Sequence, residues 1–152
     1  METPFNILTL VSDLEEKMAK NNIKVLLSKL GLDVHNRGVL TVAKNLRDSG
    51  MDVIYIGNST IEQMLETALQ EDAEIIGVSS LGGAHMQLGK ELIDKARDKD
   101  IFKNRVFIIG GAIPDNDIGK LKKMGFDLIF TSGATKDEIV SEIEKKFKQK
   151  TC

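Results

Sequence analysis

Lys29-Leu30-Gly31-Leu32-Asp33-Val34-His35-Asn36-Arg37-Gly38 is the stretch that decides how this chain is read. An apolar run over residues 23–30 leads into it, and an amphipathic pattern beginning at Val39 leaves it. That order reads as strand, tight loop, helix. The loop carries an acid, an imidazole and a closing glycine. Asp33 and His35 stand two apart, so in an extended loop their side chains reach toward a common site. A carboxylate that accepts a hydrogen bond from one ring nitrogen fixes the tautomer and aims the other nitrogen outward, which is how proteins prepare a histidine to bind a metal. Gly38 removes a side chain where the helix starts and lets a bulky ligand approach the backbone.

Working outward, strand and helix alternate from Ile23 onward. Strands are predicted over 23–27, 52–56, 74–78, 105–109 and 126–130. Between the first two, Val39, Val42, Ala43 and Leu46 make one apolar helix face that stops at Ser49-Gly50. Ser59-x-x-Glu62 reads as a capping box for a helix through Leu69. Helices over 86–97 and 115–124 follow, and Thr135-x-x-Glu138 caps the last one. The third strand is mostly apolar, as a central parallel strand should be. Five strands, each followed by a helix with right-handed crossovers, give an α/β fold. The expectation is a doubly wound five-stranded parallel sheet, Rossmann-like and of flavodoxin-like order 2-1-3-4-5, with a ligand crevice where the first and third strands diverge.

Residues 1–22 differ from the rest. Phe5, Leu8, Leu10, Val11, Leu14 and Met18 fall at loosely helical spacings before a break at Ala19-Lys20-Asn21-Asn22. This reads as a helical extension to a domain over 23–152, either packed on the domain's flank or serving as a docking arm, and both readings stay open. The basic tail Lys145-Lys146-Phe147-Lys148-Gln149-Lys150 reads as a solvated helix end that complements the helix dipole.

In this topology the loops after the first, third, fourth and fifth strands meet at one edge. They are Asp33 to Gly38, then Ser79-Ser80-Leu81-Gly82-Gly83-Ala84-His85, Gly110-Gly111-Ala112-Ile113-Pro114 and Thr131-Ser132-Gly133-Ala134. All but the first are dominated by small residues, which leaves room for something flat and large close to the backbone. Glycines after strands are also ordinary turn residues, and serines often cap helices. Four such loops opening beside one Asp-x-His favour a ligand crevice over four separate turns.

Asp33-x-His35-x-x-Gly38, together with Ser79-x-Leu81 and Gly110-Gly111, resembles the cobalamin-binding domain of adenosylcobalamin-dependent mutases. The longer string Lys29-x-Gly31-x-Asp33-x-His35-x-x-Gly38 is most similar to the methylmalonyl-CoA mutase type. The resemblance covers residues 23–147. It implies that His35 ligates cobalt from below after the cofactor's own benzimidazole has left, that Asp33 hydrogen-bonds His35, and that Lys29 supplies a charge to Asp33. It implies that the displaced nucleotide tail enters a slot lined by Ser79, Leu81, Gly110 and Gly111. Asn36, Arg37, Gly38, Val42, Gly83, Thr131 and Ser132 complete the expected cofactor-binding set. His85 matches a histidine that often follows Ser-x-Leu in acyl-CoA mutases and is expected near the corrin or the tail. From the residues alone, a lysine such as Lys29 is more often exposed at a strand end, and His85 reads more readily as a plain hydrogen-bonding residue than as a ligand. At the end of the fifth strand the family often carries Gly-Pro-Gly-Thr, where this chain has Thr131-Ser132-Gly133-Ala134.

Composition sets the outer bounds. At 152 residues the chain suits one domain with a real core. A net charge of -2 and an aromatic content of 5% give no reason to expect nucleic acid or an anionic membrane as partner. The lone Cys152 offers neither a disulfide framework nor a zinc cluster. No apolar run approaches a membrane span and no secretory signal opens the chain, so a cytoplasmic setting is expected.

A substrate-holding β/α barrel takes about 250 residues, more than this chain contains. The expected function is therefore the cobalamin-carrying small subunit of a two-chain adenosylcobalamin-dependent acyl-CoA mutase, an isomerase component inactive alone, with the barrel on a large partner subunit. The substrate would be methylmalonyl-CoA, 2-hydroxyisobutyryl-CoA or a similar thioester. The alternative is a stand-alone corrinoid carrier or cobalamin sensor. A zinc hydrolase built on Asp33, His35 and His85 ranks below both, because it leaves the glycine-lined slot without a purpose.

Overall fold

A computed structural model describes residues 7–21, 23–30, 37–80 and 83–151. A helix, α1 (Ile7–Asn21), precedes the alternating series β1 (Lys24–Lys29), α2 (Arg37–Asp48), β2 (Asp52–Asn58), α3 (Ile61–Gln70), β3 (Ile75–Ser80), α4 (His85–Asp98), β4 (Val106–Gly111), α5 (Asp115–Met124), β5 (Leu128–Thr131) and α6 (Lys136–Thr151). The five strands form one parallel sheet in the order β2-β1-β3-β4-β5, as expected from the sequence.

The central strands β1, β3 and β4 are apolar on both faces because helices cover both. On one face α3, α4 and α5 bring Met64, Leu65, Leu92, Ile93 and Leu121 onto Leu26, Ile76, Phe107 and Ile109. On the other, α2 and α6 bring Val39, Ala43, Leu46, Ile139 and Ile143 onto Val25, Leu27, Ile75, Val106 and Ile108. Each fully buried aliphatic side chain of this kind contributes about 1.5–3 kcal/mol relative to exposure. Both cores are built from residues 23–147. On α1, Ile7, Leu8, Leu10, Val11 and Leu14 are exposed.

The strands run further toward their C-terminal ends than the apolar runs alone suggested. β1 extends to Lys29, which pairs in register with Ser79 on one side and Asn58 on the other. A register shift between Leu27 and Lys29 accompanies that extension, and the Ser28 hydroxyl donates to the Gly57 carbonyl beside it at 3.0 Å. Past β1, the Leu30 N–H donates to the Ser79 carbonyl at 3.0 Å.

The cap of α3 lies one residue later than Ser59-x-x-Glu62 implied. The Thr60 hydroxyl accepts from the Gln63 N–H at 3.1 Å and the Gln63 side chain accepts from the Thr60 N–H at 3.0 Å. The Ser59 hydroxyl is instead 2.7 Å from that of Ser28. At α6 the expected box is present, with the Glu138 N–H donating to the Thr135 hydroxyl at 3.2 Å and the Thr135 N–H to the Glu138 carboxylate at 3.2 Å.

The basic tail is less free than a solvated helix end. Lys150 Nζ donates to Asp127 at 2.9 Å and lies 4.7 Å from the centre of the Phe102 ring. No described helix is long and apolar enough to cross a membrane.

Candidate functional site

A cavity of about 680 Å³ opens between α2 and α6 at the C-terminal ends of the strands. A hollow of about 370 Å³ adjoins it and shares Phe130, Thr131 and Ala134, while another of about 380 Å³ lies away from it, around Ala73 and Arg105. The location follows from the topology, because the crossovers from β1 and β3 leave the sheet in opposite directions. The floor is apolar and comes from four neighbouring strands: Leu27, Gly77, Ile108 and Phe130. Val39 and Val42 of α2 form one wall and Ile139 of α6 the other. Polar groups gather at the strand ends and helix starts, with Ser79, Thr131 and Ser132 on the sheet side and Arg37, Thr41, Asn45 and Lys136 on the helices.

Glycines give the cavity its depth. Gly77 and Ser79 lie on the same face of β3, and Gly110 pairs with Ser79 in β4. A Cβ at Gly110 would stand 3.3 Å from the Phe130 carbonyl oxygen, so even a methyl group is tight there. A Cβ at Gly77 would stand 2.7 Å from Leu27 Cδ2, so the Leu27 side chain lies across this glycine. Gly111 has a different constraint. Its φ is +133°, and a Cβ would collide with the Ser80 carbonyl oxygen. That position requires glycine whether or not a ligand is present.

Arg37, Gly38, Val42, Ser79, Gly110, Gly111, Thr131 and Ser132, eight of the residues singled out from sequence, line this one cavity. Asp33, His35, Asn36 and Leu81 lie outside the described residues. Lys29 is 1% exposed, which overturns its reading as an exposed strand-end lysine. The extra strand length carries it into the sheet, on the same face as Leu27 and beside Ser79.

Gly83 is exposed, with φ +82°, in the turn leading to α4. His85 begins α4, is buried, and does not line the cavity. Its Nε2 stands 2.7 Å from Asp117 Oδ2 in the first turn of α5. Because a carboxylate only accepts, Nε2 carries the hydrogen. Among the described residues, no three His, Cys, Asp or Glu side chains gather as a metal site.

Sequence reasoning missed Gly77, Leu27, Ile108, Phe130, Thr41, Asn45 and Lys136 as lining residues. Gly77 carried a readable signal, since a glycine inside an otherwise apolar strand marks a close approach to backbone or ligand. Lys136 carried none, because its place on the cavity depends on how α6 returns across the sheet.

Comparison with known proteins adds the following. Residues 23–141 match the family model described as the B12 binding domain. The chain is 39% identical over 127 residues to the small subunit of 2-hydroxyisobutanoyl-CoA mutase from Aquincola tertiaricarbonis, covering 83% of this chain and 93% of that one. It is 35% identical over 130 residues to the methylmalonyl-CoA mutase large subunit of Propionibacterium freudenreichii subsp. shermanii, covering 82% of this chain but only 17% of that much longer one. A cobalamin-binding protein from Desulfitobacterium hafniense DCB-2 shares the fold, with a TM-score of 0.72 at 17% identity, over 93% of this chain and 71% of that one.

Proposed function

The chain belongs to the B12-binding domain family, and from that premise we propose that it is the cobalamin-carrying small subunit of a two-chain adenosylcobalamin-dependent acyl-CoA mutase. The observation that carries this reading is the slot between α2 and α6. Its apolar floor and small-residue rim suit a flat heteroaromatic group, and they lie where the family's tail-binding residues match this sequence.

The residues present fit the cofactor. Gly110 and Gly111 keep side chains out of the space beside β4. Leu27, Ile108 and Phe130 offer an apolar surface that excludes water. Hydroxyls at Ser79, Thr131 and Ser132 can donate to ring nitrogens or accept from sugar hydroxyls. Gly38, at the start of α2, leaves the slot mouth open, and Val42 one turn further on adds apolar wall. On the motif match, His35 holds cobalt and Asp33 fixes the tautomer of His35. Lys29, buried next to Ser79, is assigned to hold the charge of Asp33. When bound, adenosylcobalamin supplies a weak cobalt–carbon bond as a source of radicals, and that chemistry belongs to the cofactor.

The small-subunit assignment is supported by the 93% coverage of a curated small subunit. It carries with it a large β/α-barrel partner that holds an acyl-CoA substrate, a domain spanning 23–152 behind a separate N-terminal helix, and a cytoplasmic setting. The test is a visible-absorption titration with adenosylcobalamin and hydroxocobalamin, for the wild type and His35→Ala. The expected result is saturable binding with a histidine-ligated spectrum in the wild type and an altered spectrum in the variant. An identical spectrum in both would remove His35 as the ligand, and no uptake by the wild type would remove the cofactor.

A further inference from the structure

His85 and Asp117 form a polar pair that the slot itself does not use. Their side chains are 6% and 19% exposed, and among the described residues the one other ion pair of Asp117 is with Lys120 at 3.8 Å, from the same helix. His85 Nδ1 is buried with no hydrogen-bond partner among the described residues. Taking an imidazole and a carboxylate this far out of water is costly, and an apolar pair of the same size would fill the space at least as well for stability alone. The pair therefore calls for a geometric reason.

Its position in the chain supplies one. β3 and β4 run side by side through the register pairs Ser79–Gly110 and Ser80–Gly111, the last pairs of that ladder. Beyond them one chain leads on to α4 and the other runs through residues 112–114 into α5. The first residue of α4 and the third of α5 then meet again at 2.7 Å. The Ser80–Gly111 register pair thus stands at one end of a ring of contacts and the His85–Asp117 bond at the other. Both chain segments carry slot-lining residues immediately before they enter the ring: Ser79 on one, Gly110 and Gly111 on the other.

We propose that His85 is a positioning residue for the cofactor slot, acting through its bond to Asp117 to hold the ends of β3 and β4 at the spacing the nucleotide tail needs. This rests on the cobalamin reading above. His85 starts a helix on the opposite face of the sheet from the slot and acts on it at one remove.

The test pairs cobalamin titrations with amide hydrogen exchange on the intact chain. His85→Leu and Asp117→Leu keep apolar volume and delete the bond. Each is expected to bind hydroxocobalamin about tenfold more weakly, the size of one charge-assisted hydrogen bond. The double variant should be no weaker than either single, as for two halves of one interaction. Asp117→Asn, which keeps an acceptor oxygen, should stay within about twofold of the wild type. Without any ligand, amides of residues 111–117 should exchange faster in His85→Leu. Equal affinity in the wild type and His85→Leu, with exchange unchanged over 111–117, overturns the positioning role and leaves the cofactor reading standing. A wild type that takes up no cobalamin removes the cofactor reading and this role together. Should His85→Leu fail to fold, Asp117→Asn against Asp117→Leu decides the matter by the same titration.

Discussion

At the scale of single residues, two adjacent glycines do different work and their substitutions should separate. Gly110 has an ordinary backbone and faces the slot, with the nearest foreign atom of a hypothetical Cβ at 3.3 Å. Gly110→Val is expected to weaken cobalamin binding at least about tenfold, a 1.4 kcal/mol loss, while thermal unfolding without ligand shifts less than the affinity does. Gly111 combines φ +133° with the Ser80 carbonyl at its back. Gly111→Ala is expected to lower stability by about 1–3 kcal/mol, measured by chemical denaturation of the ligand-free protein. Equal loss of stability in the two variants would mean that Gly110 is there for the fold rather than the ligand. Sequence placed both glycines in the site because they follow a strand in a matching motif. It gave no means of telling them apart, because the Ser80 carbonyl that constrains Gly111 arrives through strand pairing. Asp117 was invisible for the same reason, since its partner is 32 residues away.

At the scale of elements, the helix order and most boundaries followed from local patterns, and the misplacements trace to tertiary contacts. Ser59-x-x-Glu62 and Thr60-x-x-Gln63 satisfy the same capping rule. Thr60 prevails because the Ser59 hydroxyl is engaged with Ser28 at the irregular end of β1. α3 and α4 are joined at their surfaces by Lys95, which donates to Glu62 at 2.6 Å and pairs with Glu91 at 3.1 Å. The hydrogen bond from Lys95, followed by its charge, holds the Glu62 carboxyl below its ordinary value of 4.5. The same bond, with one from Glu91, raises the Lys95 ammonium above 10.5. The depressed carboxyl contributes stability that is present above the unfolded value and lost as pH falls through the folded one. The raised ammonium contributes stability that is present below 10.5 and lost as pH rises through its higher folded value. The difference in melting temperature between the wild type and Lys95→Met should therefore shrink as pH drops from about 5 to about 3, and should also shrink with added salt. A difference that stays constant across that range would show that Lys95 acts by packing instead.

At the scale of the whole molecule, the sheet order and the site at its C-terminal edge were legible because three central strands are apolar on both faces and three small-residue loops join the Asp-x-His loop after strands. Which face carries the slot was not legible, because α2 and α6 look much like the other amphipathic helices until the crossovers are known. Neither core includes a described residue of α1, and Ile7 and Leu8 are 72% and 80% exposed. Removing residues 1–22 is expected to leave a cooperative thermal transition within about 4 °C of the full chain. A broad transition, or loss of folding, would make α1 part of the domain instead. The two walls of the slot come from opposite ends of that domain, α2 from residues 37–48 and α6 from residues 136–151. Until α6 docks on the sheet, the slot has only the α2 wall. A folding intermediate with its sheet formed and α6 still undocked thus holds half a slot, so the last helix to be added also completes the place where the vitamin's tail would lodge.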